Sequence, residues 1–568
     1  MNPESSRLTD AGPLNSDGLA RVRRWSLTVW LVLTIILVAM TLRLYAIAAS
    51  GVWTDEAFSI WVAEKHTVLD IWHWVKTLDD IPPLYYWVLH FWLRVGTSEA
   101  ALRLLSALCG VLTVLLAYAI GRVAGDPRLG LIGASLVAIS PVDVHYSQEI
   151  RMYSLLPLLA AASMLGTSLW LRSAGAAEIA QTRRRTGESA ALALYVAGTV
   201  AAVWTHYPAV FLPISSNAAV ALAWLARRRL WNLYSWIVAQ IIMVALCLPL
   251  LPLYLHQSVG PNFPPILRTS PMVVLGGLFP DVAPLYGTFL LFFLAAAFEV
   301  TLAIAVVALA VRRWRGGHYR PAVLITLWLL PVVGELLISA LWRPVVSAKV
   351  LIWTTIPFYL LVAGALVDLH ARPISRVVCW ALLIFVAAAG LNADYWTRPE
   401  YEAWRPAARY VATDLRSGDL ILFNDSFVEL PFDFYFQRYR RGAEEEGVPG
   451  SFGDNAVDEH IMGLADVPAL EALARKHRRI WLVYSHYWYT DPLHLVPASL
   501  ARVAQLKTAK TFASREPIEI FFYERPLSAR QPGAVITSQD RGSARFFVPI
   551  SERSSPRCAR LCSHRMLP

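Results

Sequence analysis

The chain has 568 residues, of which 56% are hydrophobic and 16% charged, and its mean hydropathy is +0.46. That balance excludes an ordinary soluble globular protein of this length and points to many membrane spans. The net charge of +10 reflects 51 Lys and Arg against 41 Asp and Glu. The arginines sit in short loops between apolar runs, which makes them topology signals and argues against a nucleic-acid partner.

Residues 1–24 read as a cytoplasmic segment that ends in Arg21, Arg23 and Arg24. The apolar run 25–46 is too long for a signal-peptide core and lacks a cleavage site, so it reads as a retained span. Further apolar runs fall at 82–96, 101–121, 129–141, 152–171, 189–206, 207–226, 232–255, 287–311, 321–341, 350–369 and 377–394. Between them lie Arg122 with Arg128, Arg183–Arg185, Arg227–Arg229, the Arg312 to Arg320 cluster, and Arg372 with Arg376. If every run crossed, the Arg183 and Arg227 clusters would lie outside. If 82–96 does not cross, all clusters fall on the cytoplasmic side. That stretch, PPLYYWVLHFWLRVG, has 15 residues, short of the roughly 20 a span needs, and its aromatics favour the interface. The chain is therefore expected to be an α-helical polytopic membrane protein of about 11 transmembrane helices.

This topology puts five loops outside: 47–100 with interfacial helices, 140–152, His206-Tyr207, 256–286 and 343–349. Composition changes near residue 397. Three apolar stretches, DLILFND (419–425), RIWLVYS (479–485) and IEIFFYE (518–524), read as strands, with PALEALARKHR as a helix among them. Residues 397–527 thus read as a small extracytoplasmic α/β domain. The Ser-, Arg- and Pro-rich stretch 528–568 reads as a disordered tail. Of the five cysteines, only Cys558 and Cys562 lie close together, and no second Cys/His pair completes a zinc site.

Asp55-Glu56 is the candidate reaction centre, because paired carboxylates at the mouth of a membrane protein are costly without a role. The alternative is helix capping, with Thr54 and Asp55 at an N-terminus and Glu56 in a first turn. Glu149 and Arg151 lie two residues apart at the outer end of a span and could pair. Tyr153 is an interface anchor or a ligand to an anion, and His145, Tyr146, His206 and Tyr207 share that outer face as candidate substrate contacts. Lys349 starts a span at the same face, and no other lysine occurs between Lys76 and Lys476. Its alternative, like that of Arg343, is snorkelling to the headgroups. Arg43 and Arg103 are expected in ion pairs with outer carboxylates, and Asp79 and Asp80 end a helix before Pro82-Pro83.

The ordered set WTDEAFS, PPLYYW, SEAALRLLSALCG, HYSQEIRMYSL and THY resembles the GT-C membrane glycosyltransferases. Within them it is most similar to the protein mannosyltransferase and aminoarabinose transferase branch (glycosyltransferase family 39-like). The resemblance covers roughly 25–395, so 25–396 is expected to be a GT-C catalytic domain. Two positions depart from the pattern: Ile81 stands where many relatives carry histidine, and Lys349 where arginine is common.

The resemblance implies an inverting transfer of one sugar from a polyprenyl-phosphate donor to a protein, glycan or lipid at the outer face of the plasma membrane. Asp55 would be the base, with Glu56 orienting it or meeting the acceptor. Arg151, Lys349 and Tyr153 would hold the donor phosphate, and Glu149, His145, Tyr146, His206 and Tyr207 the substrates. Asp55, Glu56 and Glu149 could instead cage Mg²⁺ or Mn²⁺, but the branch implies chemistry without a metal, and no cofactor is expected. The competing readings are a lipid or glycan transporter or flippase, and a non-catalytic scaffold. Charges at the outer ends of spans, away from the midplane, and the lack of an inverted repeat weigh against transport.

Overall fold

The computed structural model describes residues 16–526, apart from 175–180, 228–232, 259–274, 276–278, 280–288, 316–319, 342–346, 370–371, 398–399, 425, 438–442 and 451–460. The expected loop 256–286, Arg343 and the tail 528–568 thus lie wholly or largely outside the described residues.

The first helix, α1 (Ser16–Leu44), contains the apolar window Leu27–Leu44. The stretch after α1 carries three short helices, α2 (Thr54–Ala63), α3 (Val68–Leu78) and α4 (Leu84–Trp92), the longest of 11 residues. A capping box opens α3: Thr67 Oγ1 accepts from Asp70 N, and Asp70 Oδ2 accepts from Thr67 N, which satisfies two donors a helix start leaves open. Pro82 and Pro83 forbid a helix running into them, so α4 begins afresh. Its 9 residues extend about 14 Å. The run 82–96 therefore contains no helix long enough to cross.

Beyond the loop come α5 (Glu99–Ala124), α6 (Pro127–Ile139), α7 (Pro141–Tyr146), α8 (Leu155–Ala174), α9 (Gln181–Thr205) and α10 (Phe211–Arg227). Helices α5 and α6 meet backbone to backbone. A Cβ on Gly121 would lie 2.6 Å from Gly130 Cα, and one on Gly130 2.5 Å from Tyr118 O, the close approach that small residues permit between membrane helices. Ser163 and Thr199 hydroxyls, 2.7 Å apart, join α8 to α9 inside the bundle.

Among the described residues, nine helices are long and apolar enough to cross a membrane. A tenth follows if α11 (Leu233–Cys247) and α12 (Leu250–Ser258), bent by 55°, form one span. The bend falls at Pro249, which removes a helix hydrogen bond and crowds the preceding turn. The remaining expected span is α6. Its 13 residues reach about 20 Å, less than the roughly 30 Å hydrocarbon layer. Ser140 ends it and caps α7, its Oγ accepting from Asp143 N at 3.3 Å.

The C-terminal part is a five-stranded sheet in the order β2-β1-β3-β5-β4. The strands are β1 (Leu420–Phe423), β2 (Glu444–Gly447), β3 (Arg479–Tyr484), β4 (Gln505–Phe512) and β5 (Ile518–Glu524). β1 runs parallel to β2 and β3, while β5 is antiparallel to β3 and β4. All four side chains of β1 are buried, because helices cover both faces. Trp404 and Phe432 pack on one, Leu470 and Leu500 on the other. Residues up to Arg525 form one compact unit that includes both the helical bundle and this sheet.

Candidate active site

Asp55 stands in the second position of α2. The cap residue is Trp53, in extended conformation, and no side chain of the helix itself caps the start. The alternative reading of Thr54 and Asp55 as a helix cap is therefore not met. Thr54 instead sends its hydroxyl to Glu402 Oε2 at 2.7 Å, and the Asp55 carboxylate stays part-exposed. Its nearest cation is Arg151, with Nη2 3.7 Å from Oδ2. Arg151 Nη1 also donates to Ser59 Oγ (3.1 Å) and the Asp55 carbonyl (3.3 Å). Its Nε is buried and has no hydrogen-bond partner. Burial disfavours the Arg151 charge, but Asp55, then Tyr153, Tyr86 and Asp79, more than offset that and raise its pKa. The guanidinium remains a fixed cation with an unused donor.

Tyr153 joins the cations. Its ring centroid lies 5.9 Å from the Arg151 guanidinium carbon and 5.3 Å from Lys349 Nζ. The ring also contacts Tyr146 at 5.2 Å and His206 at 6.3 Å. Lys349 thus lies against the Tyr153 cluster. His206 is buried, and its Nδ1 has no hydrogen-bond partner. Tyr207 is tied elsewhere: its hydroxyl donates to Gln257 Oε1 at 2.5 Å, and Gln257 donates to the Val75 carbonyl of α3.

Glu56 sits differently from Asp55. It is fully buried, accepts from Arg103 Nε (3.1 Å) and Nη2 (2.7 Å), and accepts from the Ile150 amide (2.8 Å). Burial pushes its carboxyl up, and Arg103 pulls it back. Arg103 also donates to the carbonyls of Ile47, Ser50 and Gly51. Glu56 therefore cannot meet an acceptor as placed; it braces the loop that carries Asp55. The i, i+1 spacing explains the split, since neighbouring residues on a helix point about 100° apart.

The possible Glu149–Arg151 pair does not form either. Glu149 meets His145 Nε2 at 3.1 Å, and His145 Nδ1 meets Asp394 Oδ1 at 2.8 Å. Although burial opposes it, Asp394 and Glu149 raise the His145 pKa to about 9. With Glu56 and Glu149 held by different partners, the three-carboxylate cage is not assembled. Among the described residues Arg43 makes no direct ion pair, donating instead to Ser147 Oγ and to the carbonyls of Val137 and Ala138.

Residues 80–253 match the family model described as dolichyl-phosphate-mannose-protein mannosyltransferase. The match takes in every quoted motif except WTDEAFS. The chain is similar to the crystal structure of ArnT from Cupriavidus metallidurans in the apo state, with TM-score 0.54, 13% identity, and coverage of 88% of this chain and 98% of that one. With ArnT bound to undecaprenyl phosphate the values are 0.51, 15%, 89% and 98%. The chain has the GT-C fold. An Archaeoglobus fulgidus oligosaccharyltransferase tethered with an acceptor peptide shares it, at TM-score 0.50 and 10% identity over 88% of this chain and 74% of that one. No curated protein matches the sequence.

Two further groups face the centre of this GT-C protein. Asp79 Oδ2 accepts from Tyr86 Oη at 2.5 Å. Burial, then Asp80, lift Asp79 to about 7 against the pull of Arg151. The buried hydroxyl of Tyr85 has no hydrogen-bond partner. Asp79 also ends α3, the role its place before Pro82-Pro83 implies. The missed signal was the tyrosine pair that follows Pro82-Pro83, where polar rings enter an otherwise apolar helix.

Proposed function

We propose that the chain is an inverting glycosyltransferase that moves a single sugar from a polyprenyl-phosphate donor to an acceptor at the extracytoplasmic face of the plasma membrane. One observation carries the reading: a part-exposed carboxylate, Asp55, lies 3.7 Å from a buried arginine with an unused donor, and Lys349 converges on the same tyrosine. A base beside fixed cations is what this transfer requires. Asp55 takes the proton from the attacking hydroxyl or amine, worth roughly 10²–10⁴ in rate. Arg151 and Lys349 stabilise the charge that grows on the departing phosphate, often the largest contribution to catalysis. One displacement inverts the anomeric carbon, and no second carboxylate is needed.

The comparisons support the donor class, because one ArnT structure is bound to undecaprenyl phosphate. His206, Tyr146 and Tyr153 would line the donor's path, while Glu149 and His145 act through structure.

The test is Asp55→Asn, which keeps size and hydrogen bonding but removes the proton acceptor. Turnover in native membranes should fall by about 10²-fold or more, with binding of undecaprenyl phosphate kept. Near-normal turnover would remove Asp55 from the chemistry. A wild-type chain without turnover on any polyprenyl-phosphate sugar would instead favour the transporter reading, to be followed by lipid translocation in vesicles.

A further inference from the structure

We infer that the C-terminal sheet domain is a clamp that sets the position of Asp55, with Glu402 as its principal positioning residue. The inference rests on the assignment of Asp55 as the base. It adds a role for the domain and for residues outside the matched motifs.

The first turn of any helix leaves backbone N–H groups without partners. Trp53 at the cap position of α2 offers no acceptor, so the need is met from outside. Glu402 Oε2 accepts from Thr54 N at 2.8 Å and from Thr54 Oγ1 at 2.7 Å. The incoming segment is held in the same way. Glu400 Oε1 accepts from Gly51 N at 2.7 Å, and the Tyr435 hydroxyl accepts from Val52 N at 2.6 Å. Tyr435 in turn donates to Glu99, which pairs with Arg405 at 2.6 Å, and Arg405 reaches the Ala48 carbonyl. Three backbone amides within four residues thus end on the C-terminal domain, and the next residue is Asp55.

Glu402 is built to stay in place. It is 1% exposed, Trp404 Nε1 donates to the same oxygen at 2.5 Å, and His486 Nε2 lies 3.5 Å from the other. A carboxylate at a helix start is also favoured by the helix dipole. Releasing this cap frees the first turn of α2, and a base misplaced by about 1 Å can cost on the order of 10²-fold in rate.

The experiment is a cycle of Glu402→Ala and Asp55→Asn in the full-length chain. Release of undecaprenyl phosphate from undecaprenyl-phosphate mannose, glucose and galactose is followed in native membranes. Glu402→Ala should lower kcat about 10- to 100-fold while the donor KM moves less than about threefold. In the Asp55→Asn background it should have no further effect, because both changes then remove one function. Glu402→Gln, which keeps an acceptor for Thr54 N, should restore part of the rate. Hydrogen exchange of residues 51–57 needs no turnover and should speed up in Glu402→Ala and, for Val52, in Tyr435→Phe.

Unchanged exchange in both variants overturns the clamp. So does a Glu402→Ala loss that is fully additive with Asp55→Asn, or one that follows only the amount of folded protein. An active Asp55→Asn would instead overturn the assignment of the base. A dead Asp55→Asn beside a fully active Glu402→Ala would overturn the clamp alone.

Discussion

Arg151 and Lys349 reach the Tyr153 ring from different loops, at 5.9 and 5.3 Å. Two like charges in a poorly solvated pocket repel each other, and a phosphate between them would cancel that cost while accepting hydrogen bonds from both. Arg151→Ala and Lys349→Ala should each remove at least one charge-assisted bond to undecaprenyl phosphate. Each loss is worth about 1.5–3 kcal/mol, or roughly 10- to 150-fold in Kd. The arginine change should fall at the upper end, because it also empties the bonds to Ser59 and the Asp55 carbonyl at 3.1 and 3.3 Å. The double variant should lose less than the sum, with a coupling of about 0.5–3 kcal/mol if one phosphate is shared. The assay is thermal stabilisation in detergent across a lipid titration. Wild type should gain about 2.7 kcal/mol at a lipid concentration a hundred times its Kd, and the single variants between about 1.4 kcal/mol for a 10-fold loss and about 0.3 kcal/mol for a 150-fold loss. Losses additive to within about 0.5 kcal/mol would refute a shared phosphate. An unchanged Kd in Lys349→Ala would leave Arg151 as the only phosphate ligand of the two.

Three other outcomes follow from the geometry. Arg103→Leu strands the Glu56 carboxylate in the interior and should cost about 3–5 kcal/mol of stability; a loss below about 1 kcal/mol in detergent unfolding would mean the pair does not brace the loop. The His145 pKa is raised to about 9 by its two carboxylates. Its stabilising effect should therefore be fully present below the ordinary histidine value near 6.5 and vanish as pH rises through about 9. The stability gap between wild type and His145→Ala should shrink over that window, and a gap that stays constant to pH 10 would refute the assignment. A cysteine placed at Gly96 or Thr97 should react with an impermeant thiol reagent added outside, and labelling only from the cytoplasmic side would overturn the topology.

The loop motifs are legible in the sequence as a set, but their division of labour is not. Asp55 and Glu56 are chemically alike and adjacent, and nothing local distinguishes a part-exposed carboxylate from one locked on an arginine 47 residues away. Glu149 and Arg151 looked like partners by proximity in the chain, and each found another. In the C-terminal part, the runs at 419–425, 479–485 and 518–524 became β1, β3 and β5, the strands that sit inside the sheet. The two edge strands escaped notice. β2 reads EEEG, and β4 is almost wholly exposed, so neither carries the apolar pattern that betrays a buried strand.

Apolar length and arginine placement alone determined that this is a many-span helical protein with a non-crossing aromatic stretch. The reason is physical: lipid tolerates no unpaired backbone, and each span must be long and apolar. The same logic left α6 ambiguous, since 13 residues satisfy the composition test but not the length. Which of the loop charges meet was decided only by the tertiary structure. The path from Glu402 to Thr54 joins residues 348 positions apart, and a hydrogen bond across that distance depends on how the domains pack, for which neither segment has a local signature.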